Sequence, residues 1–210
     1  MTKIDYNHNH LFNKMLRISC RLFDKNNIKS LQYTMQESSY VVPEVEENAI
    51  NINSRSSDFR ARILSNLINR PFQIDGQMCA SVEAFFAGTL YPLNDIRRAR
   101  GFASCYAYSQ KMVAEGIDLF HHLPLSIIHW NNKEYTYASP EHKNLLERCI
   151  LESILQNDDR KQALLDTDGL EIKHITGFPE NPNTFLTRLE FCQILTRIRS
   201  KLLRNHNQQL

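Results

Sequence analysis

The chain has 210 residues, a formal net charge of +2, and 42% hydrophobic and 23% charged residues, which fits one well-buried domain plus an appendage. Charge so close to balance gives no case for a strongly basic nucleic-acid binder or a membrane-surface helix. The five cysteines, Cys20, Cys79, Cys105, Cys149 and Cys192, are scattered with no Cys-x-x-Cys pair; this suits reduced thiols and offers no zinc spacing, so no metal and no cofactor is expected. The polar start, Thr2 to Asp5, has no signal-like apolar core, and no apolar run approaches the roughly 20 residues of a membrane span. A cytoplasmic protein with no membrane partner is the expectation.

Residues 1–44 read as an N-terminal extension. Leu11, Met15, Ile18 and Leu22 recur at helical spacing and predict one amphipathic helix, whose apolar face either docks on the main domain or meets a partner. The domain proper is expected over 45–204. Val45, Ala49, Ile50 and Ile52 suggest a strand, and Ser54 to Asp58 form a polar loop carrying Arg55. Hydroxyls and an arginine on a loop suit phosphate contacts, although most such loops are only solvated.

Pro71 to Ile74 alternates as a strand does, Asp75-Gly76 is a hairpin turn, and Met78 to Ala80 reads as the return strand. Ser81 is the N-cap of a helix with the apolar stripe Val82, Phe85, Phe86 and Leu90, ended by Pro92. Glu83 falls in its first turn at the edge of the stripe. Taken alone, that carboxylate complements the helix dipole.

Asn94-Asp95 opens a second helix to about Glu115, with Arg97, Arg98 and Arg100 forming either a solvated face or a phosphate contact. The apolar run from Leu123 to Ile128 ends at Trp130, the single tryptophan. Ser139-Pro140-Glu141 starts a helix to about Gln156, and Asn157-Asp158-Asp159 caps a short one to Leu165. Ile172 to Ile175 is a short strand. Thr187-x-x-Glu190 is a capping box for a final helix with the stripe Phe191, Leu195, Ile198 and Leu202. A disordered tail, 205–210, is expected after it. The fold class expected is α+β, a helix-rich single domain with a few short strands, without the strand–helix alternation of a doubly wound sheet.

Gly-rich phosphate loops, Gly-x-Ser-x-Gly and His-Glu-x-x-His are missing, and a cysteine nucleophile at Cys105 or Cys149 has no recognisable context. The order Ser65-Asn66, Pro71-Phe72, Asp75-Gly76 and Ser81-Val82-Glu83-Ala84-Phe85-Phe86 instead resembles the core signature of the NADAR (YbiA-like) superfamily. Arg148-Cys149-Ile150, Gln156-Asn157, Leu164-Leu165-Asp166-Thr167, His174, Thr184-x-Leu186 and Phe191 to Arg199 continue the likeness in order. Members include N-glycosidases of riboflavin-pathway intermediates and enzymes that remove ADP-ribose from guanine.

The resemblance implies hydrolysis of a ribosyl C1′–N bond, with Glu83 stabilising oxocarbenium charge and activating water. It implies an ADP-ribose or phosphoribosyl substrate, possibly attached to nucleic acid. Ser65 and Asn66 would hold ribose or phosphate oxygens, and Ser54, Arg55 and Ser56 would face phosphates. Trp130 would stack on a base, and Phe86 would line the binding site. The chain departs from the pattern at Leu90, where the family has a lysine seven residues after the glutamate, and at Ser153-Ile154, where it has Lys-Phe. A relative whose pocket binds ADP-ribose or a nucleotide without turnover is the alternative reading, with Arg97 or Lys111 as replacement cations for an active enzyme.

Overall fold

A computed structural model describes residues 41–103, 127–180, 184 and 186–207. The chain divides into two units, Met1–Val41 and Val42–Leu210, and the second is described here. The expected N-terminal helix and residues 104–115 of the second predicted helix lie outside the described residues.

Among the described residues, six helices and six short strands make an α+β domain. Strand β1 (Ala49–Asn51) pairs in parallel with β6 (Glu171–Lys173), Ile50 opposite Ile172. Asn51 locks this pair beyond the ladder. It is buried, its Nδ2 donates to the carbonyls of Pro43 and Ile175, and its Oδ1 accepts from the Ile175 amide.

Helix α1 (Phe59–Ile63) follows β1. Its N-cap is Asp58, whose carboxylate accepts from the amides of Arg60 and Ala61. Sequence reading takes Asp58 as loop and misses this helix. Five residues are too few to show a period.

Strands β2 (Phe72–Ile74) and β3 (Gln77–Cys79) form the expected hairpin, with Asp75 and Gly76 at φ of 47° and 84°. Two successive left-handed residues are what a primed hairpin turn requires. A second hairpin, β4 (Ile127–Trp130) and β5 (Lys133–Thr136), turns at Asn131-Asn132, again both left-handed. Its signal is in the sequence, since asparagine tolerates that conformation, but the apolar run before it conceals the turn.

Helices α2 (Val82–Thr89) and α3 (Ile96–Ala103) cross at glycines. A Cβ on Gly101 would lie 2.7 Å from the Gly88 backbone, and one on Gly88 would lie 2.3 Å from the Phe102 ring. Buried Arg98 seals the crossing by donating to the carbonyls of Gly88, Tyr91 and His129. Arg98 is therefore neither a solvated charge nor a phosphate ligand. It satisfies backbone carbonyls left open at the C-terminal end of α2.

Helix α4 (Pro140–Leu155) starts at Ser139, whose hydroxyl accepts from the His142 amide. Helix α5 (Asp158–Leu165) follows directly. Between them, the Gln156 side-chain amide pairs with both backbone groups of Gln73 at the β2 edge, at 2.8 and 2.7 Å. Helix α6 (Arg188–Asn207) opens with the expected capping box, Thr187 and Glu190 each taking the other's amide. It continues through residues 205–207, where no glycine or proline stops it, and where a tail was expected.

Ile52, Leu64, Phe85, Ile150, Leu164 and Leu195 form part of one core. No described helix is long and apolar enough to cross a membrane. Gly88→Ala forces a methyl group into the Phe102 ring, and a loss of at least about 1–3 kcal/mol in urea unfolding is the expected outcome. Unchanged stability would contradict the tight helix crossing.

Candidate functional site at the start of helix α2

The beginning of α2 is closed by two kinds of acceptor. The Ser81 hydroxyl accepts from the Ala84 amide at 3.0 Å, as an N-cap serine does. The Asn66 carbonyl accepts from the Glu83 amide at 3.1 Å. A loop contributed from beyond α1 thus completes the cap and brings Asn66 against Glu83.

Buried polar groups usually have a hydrogen-bond partner, and among the described residues one side-chain atom at this junction has none. Asn66 Oδ1 is buried without a hydrogen bond. Glu83 keeps some residue exposure while its carboxyl is surrounded by protein, and burial raises its pKa from 4.5 to about 7. A carboxyl poised there is half ionised at neutral pH. It can therefore take a proton from water or carry charge next to a developing cation.

The other sequence-derived candidates divide. Ser65 is buried and its hydroxyl accepts from the Leu67 amide, closing its own loop. In the Ser54 to Ser56 loop, Arg55 is exposed and its amide donates to Asn53 Oδ1. The Ser56 hydroxyl accepts from the Asp58 amide. This loop leads into the Asp58 cap of α1, and α1 leads into Ser65-Asn66, so one continuous segment carries all five residues.

Trp130 and Phe86 are elsewhere. Trp130 is 2% exposed, meets Phe85 edge-on at 4.9 Å and Phe102 at 6.0 Å, and donates its indole N–H to Asp75. No face of the indole is left for a base, so the stacking assignment is corrected to a core role. Phe86 is 3% exposed and meets Phe85 edge-on, so it too belongs to the core. The resemblance alone implies a ligand-facing role for both, whereas the apolar stripe already puts Phe86 on the buried face.

Asp75, read only as a turn residue, is a junction. Its carboxylate accepts from Trp130, Asn131 and both terminal nitrogens of Arg148. Desolvation opposes its ionisation, but these donors outweigh it and hold the carboxyl below its usual range. It ties both hairpins to α4.

Leu90 is buried at the C-cap of α2, 3% exposed. Arg97 does not replace a lysine there. It is paired with Asp95 and lies 4.6 Å over the Tyr91 ring, and Lys111 lies outside the described residues. At position 153 a cation does arrive, from α5: fully buried Arg160 donates to the Ser153 hydroxyl and to the Leu64 carbonyl. Cys149 is buried with its thiol pushed well above the ordinary range, so it is not a nucleophile.

The fold is α+β and NADAR (YbiA-like). It superimposes on the solution structure of YbiA from E. coli with a TM-score of 0.52 and 17% identity, covering 80% of this chain and 92% of YbiA. The family model for bacteriophage protein GP30.3 matches residues 58–200, and the chain belongs to that family. It is 27% identical over 142 residues to the "Uncharacterized 17.1 kDa protein in Gp30-rIII intergenic region" of Enterobacteria phage T4, covering 66% of this chain and 90% of that protein.

A pKa raised on folding favours the native state fully below the unfolded value, and that advantage is lost as pH rises through the folded value. Wild type should therefore lose stability relative to Glu83→Gln between pH 4.5 and about 7, by at most about 3 kcal/mol. Parallel pH profiles of Tm for the two proteins would contradict a Glu83 carboxyl whose pKa burial raises.

Proposed function

We propose that the protein is an N-glycosidase that hydrolyses a ribosyl C1′–N bond. Its substrate is ADP-ribose attached to a guanine base, alone or in nucleic acid, or a phosphoribosyl-amine. The NADAR family is associated with N-glycosidase activity, and one observation supports the reading for this chain: Asn66, whose Oδ1 is buried without a partner among the described residues, accepts at its backbone carbonyl from the amide of Glu83, whose carboxyl burial raises to about 7.

The departing base leaves positive charge shared between C1′ and the ring oxygen. Ionised Glu83 stabilises that charge and takes the proton of the attacking water, whose oxygen then bonds to C1′. The leaving nitrogen takes a proton from solvent as the C1′–N bond breaks, and Glu83 returns the water's proton to solvent, giving free base and a ribosyl product. Asn66 Oδ1 is an acceptor in need of a donor, which a ribose hydroxyl supplies. The Ser54 to Ser56 loop, with Arg55, faces the phosphates.

A second reading rests on Leu90. A site without the lysine binds ADP-ribose or a nucleotide but does not turn it over.

Release of ADP-ribose from an oligonucleotide carrying ADP-ribosylated guanine tests the first reading. Glu83→Gln should cut the rate by about 10²–10⁴, and the wild-type rate should rise with pH through about 7 as Glu83 ionises. Release by the variant at the wild-type rate would sink the catalytic assignment. Absence of release by wild type, with ADP-ribose raising Tm equally in both proteins, would support the binding module instead.

A further inference from the structure

The loop assigned to phosphates has an aromatic neighbour that the proposed chemistry does not use. Phe59, at the first position of α1, is 52% exposed. A lone exposed apolar side chain is ordinary; what marks Phe59 is the charge held against its ring. Arg62 lies three residues on, and positions three apart share one helix face. Its guanidinium sits 5.9 Å from the centre of the Phe59 ring.

The same guanidinium donates to the carbonyls of Ser56 and Ser57. Those partners are neutral, so they fix its position without cancelling its charge. Asp58, the acid beside it, is engaged by Arg60. The patch is therefore cationic as well as aromatic: Phe59 with Arg62 at one side, and exposed Arg55 on the adjoining loop.

Phe59 opens α1, and Asn66 follows three residues after that helix ends, so the ring and Asn66 belong to one short segment.

We propose that Phe59, backed by Arg62, is the stacking platform for the purine base of a nucleotide substrate whose phosphates meet the Ser54 to Ser56 loop. A flat π-face beside a fixed guanidinium holds any purine ring, with charge complementarity to the attached phosphates. This rests on the ribosyl-phosphate reading of that loop, and it concerns binding, not bond cleavage.

Calorimetric titration of the full chain with AMP, ADP-ribose and ribose 5-phosphate tests it. Phe59→Ala should weaken AMP and ADP-ribose by about tenfold, within the range of base–aromatic stacking, and leave ribose 5-phosphate unchanged. Phe59→Trp should restore or tighten both. Phe59 is half exposed, so neither variant should lower Tm appreciably.

AMP binding that is unchanged in Phe59→Ala, or absent in wild type, overturns the platform. So does equal weakening of ribose 5-phosphate. If an oligothymidylate binds more tightly than AMP and is the ligand that Phe59→Ala loses, the surface belongs to a nucleic-acid strand and the purine-nucleotide assignment falls. The titrations read binding and are repeated in Glu83→Gln, which cannot turn the ligand over, so an inactive Glu83 leaves this result untouched.

Discussion

Arg160 sets the frame on which the candidate site depends. It is fully buried, and its guanidinium reaches the Ser153 hydroxyl on α4 and the Leu64 carbonyl where α1 ends. Burial is the main influence on it, lowering its pKa from 12.5 to about 10, so it still carries its charge at neutral pH. A buried cation with neutral partners is costly to hold and costly to disturb, because removing an acceptor strands the charge. The backbone at Leu64 is fixed as a result. Ser65 and Asn66 come next, and the Asn66 carbonyl meets the amide of Glu83. Helix α5 thus controls where the first turn of α2 lies, although the two are far apart in sequence.

The second constraint is the close crossing of α2 and α3. Gly88 and Gly101 allow backbone contact, Phe102 covers Gly88, and Arg98 closes the carbonyl end of α2. One end of the helix is therefore tightly filled. Among the described residues, the other end keeps an acceptor without a donor and a carboxyl whose pKa burial raises. Structures tolerate such groups where a ligand completes them. That contrast within one eight-residue helix locates the candidate chemistry at its start.

Much of this fold is local and could be read from the sequence. Ser81, Ser139 and Thr187 cap their helices through side chains three residues from the amides they satisfy, so short motifs suffice. Asp75-Gly76 announces its hairpin for the same reason. The failures are non-local. Whether Trp130 faces a ligand or the core depends on Phe85, Phe102 and Asp75 together, which no window around residue 130 contains. Asp58 caps a helix too short to show periodicity, and its loss hid α1 along with Phe59. Arg160 looked like one more charge on a short helix, and its partners are seven and 96 residues away. The resemblance in motif order puts Asn66 and Glu83 in one site, where spacing alone gives a structural carboxylate, and the two share a backbone hydrogen bond across 17 residues.

The account turns on ligand binding at the junction of Asn66 and Glu83. The direct measurement is a titration of ¹⁵N-labelled protein with ADP-ribose, followed at the Asn66 side-chain amide and the Glu83 backbone amide. Both resonances should shift and saturate together. Shifts that leave both unmoved and appear instead at the groove of about 600 Å³ lined by Ile172, Leu189, Cys192 and Thr196 would contradict it.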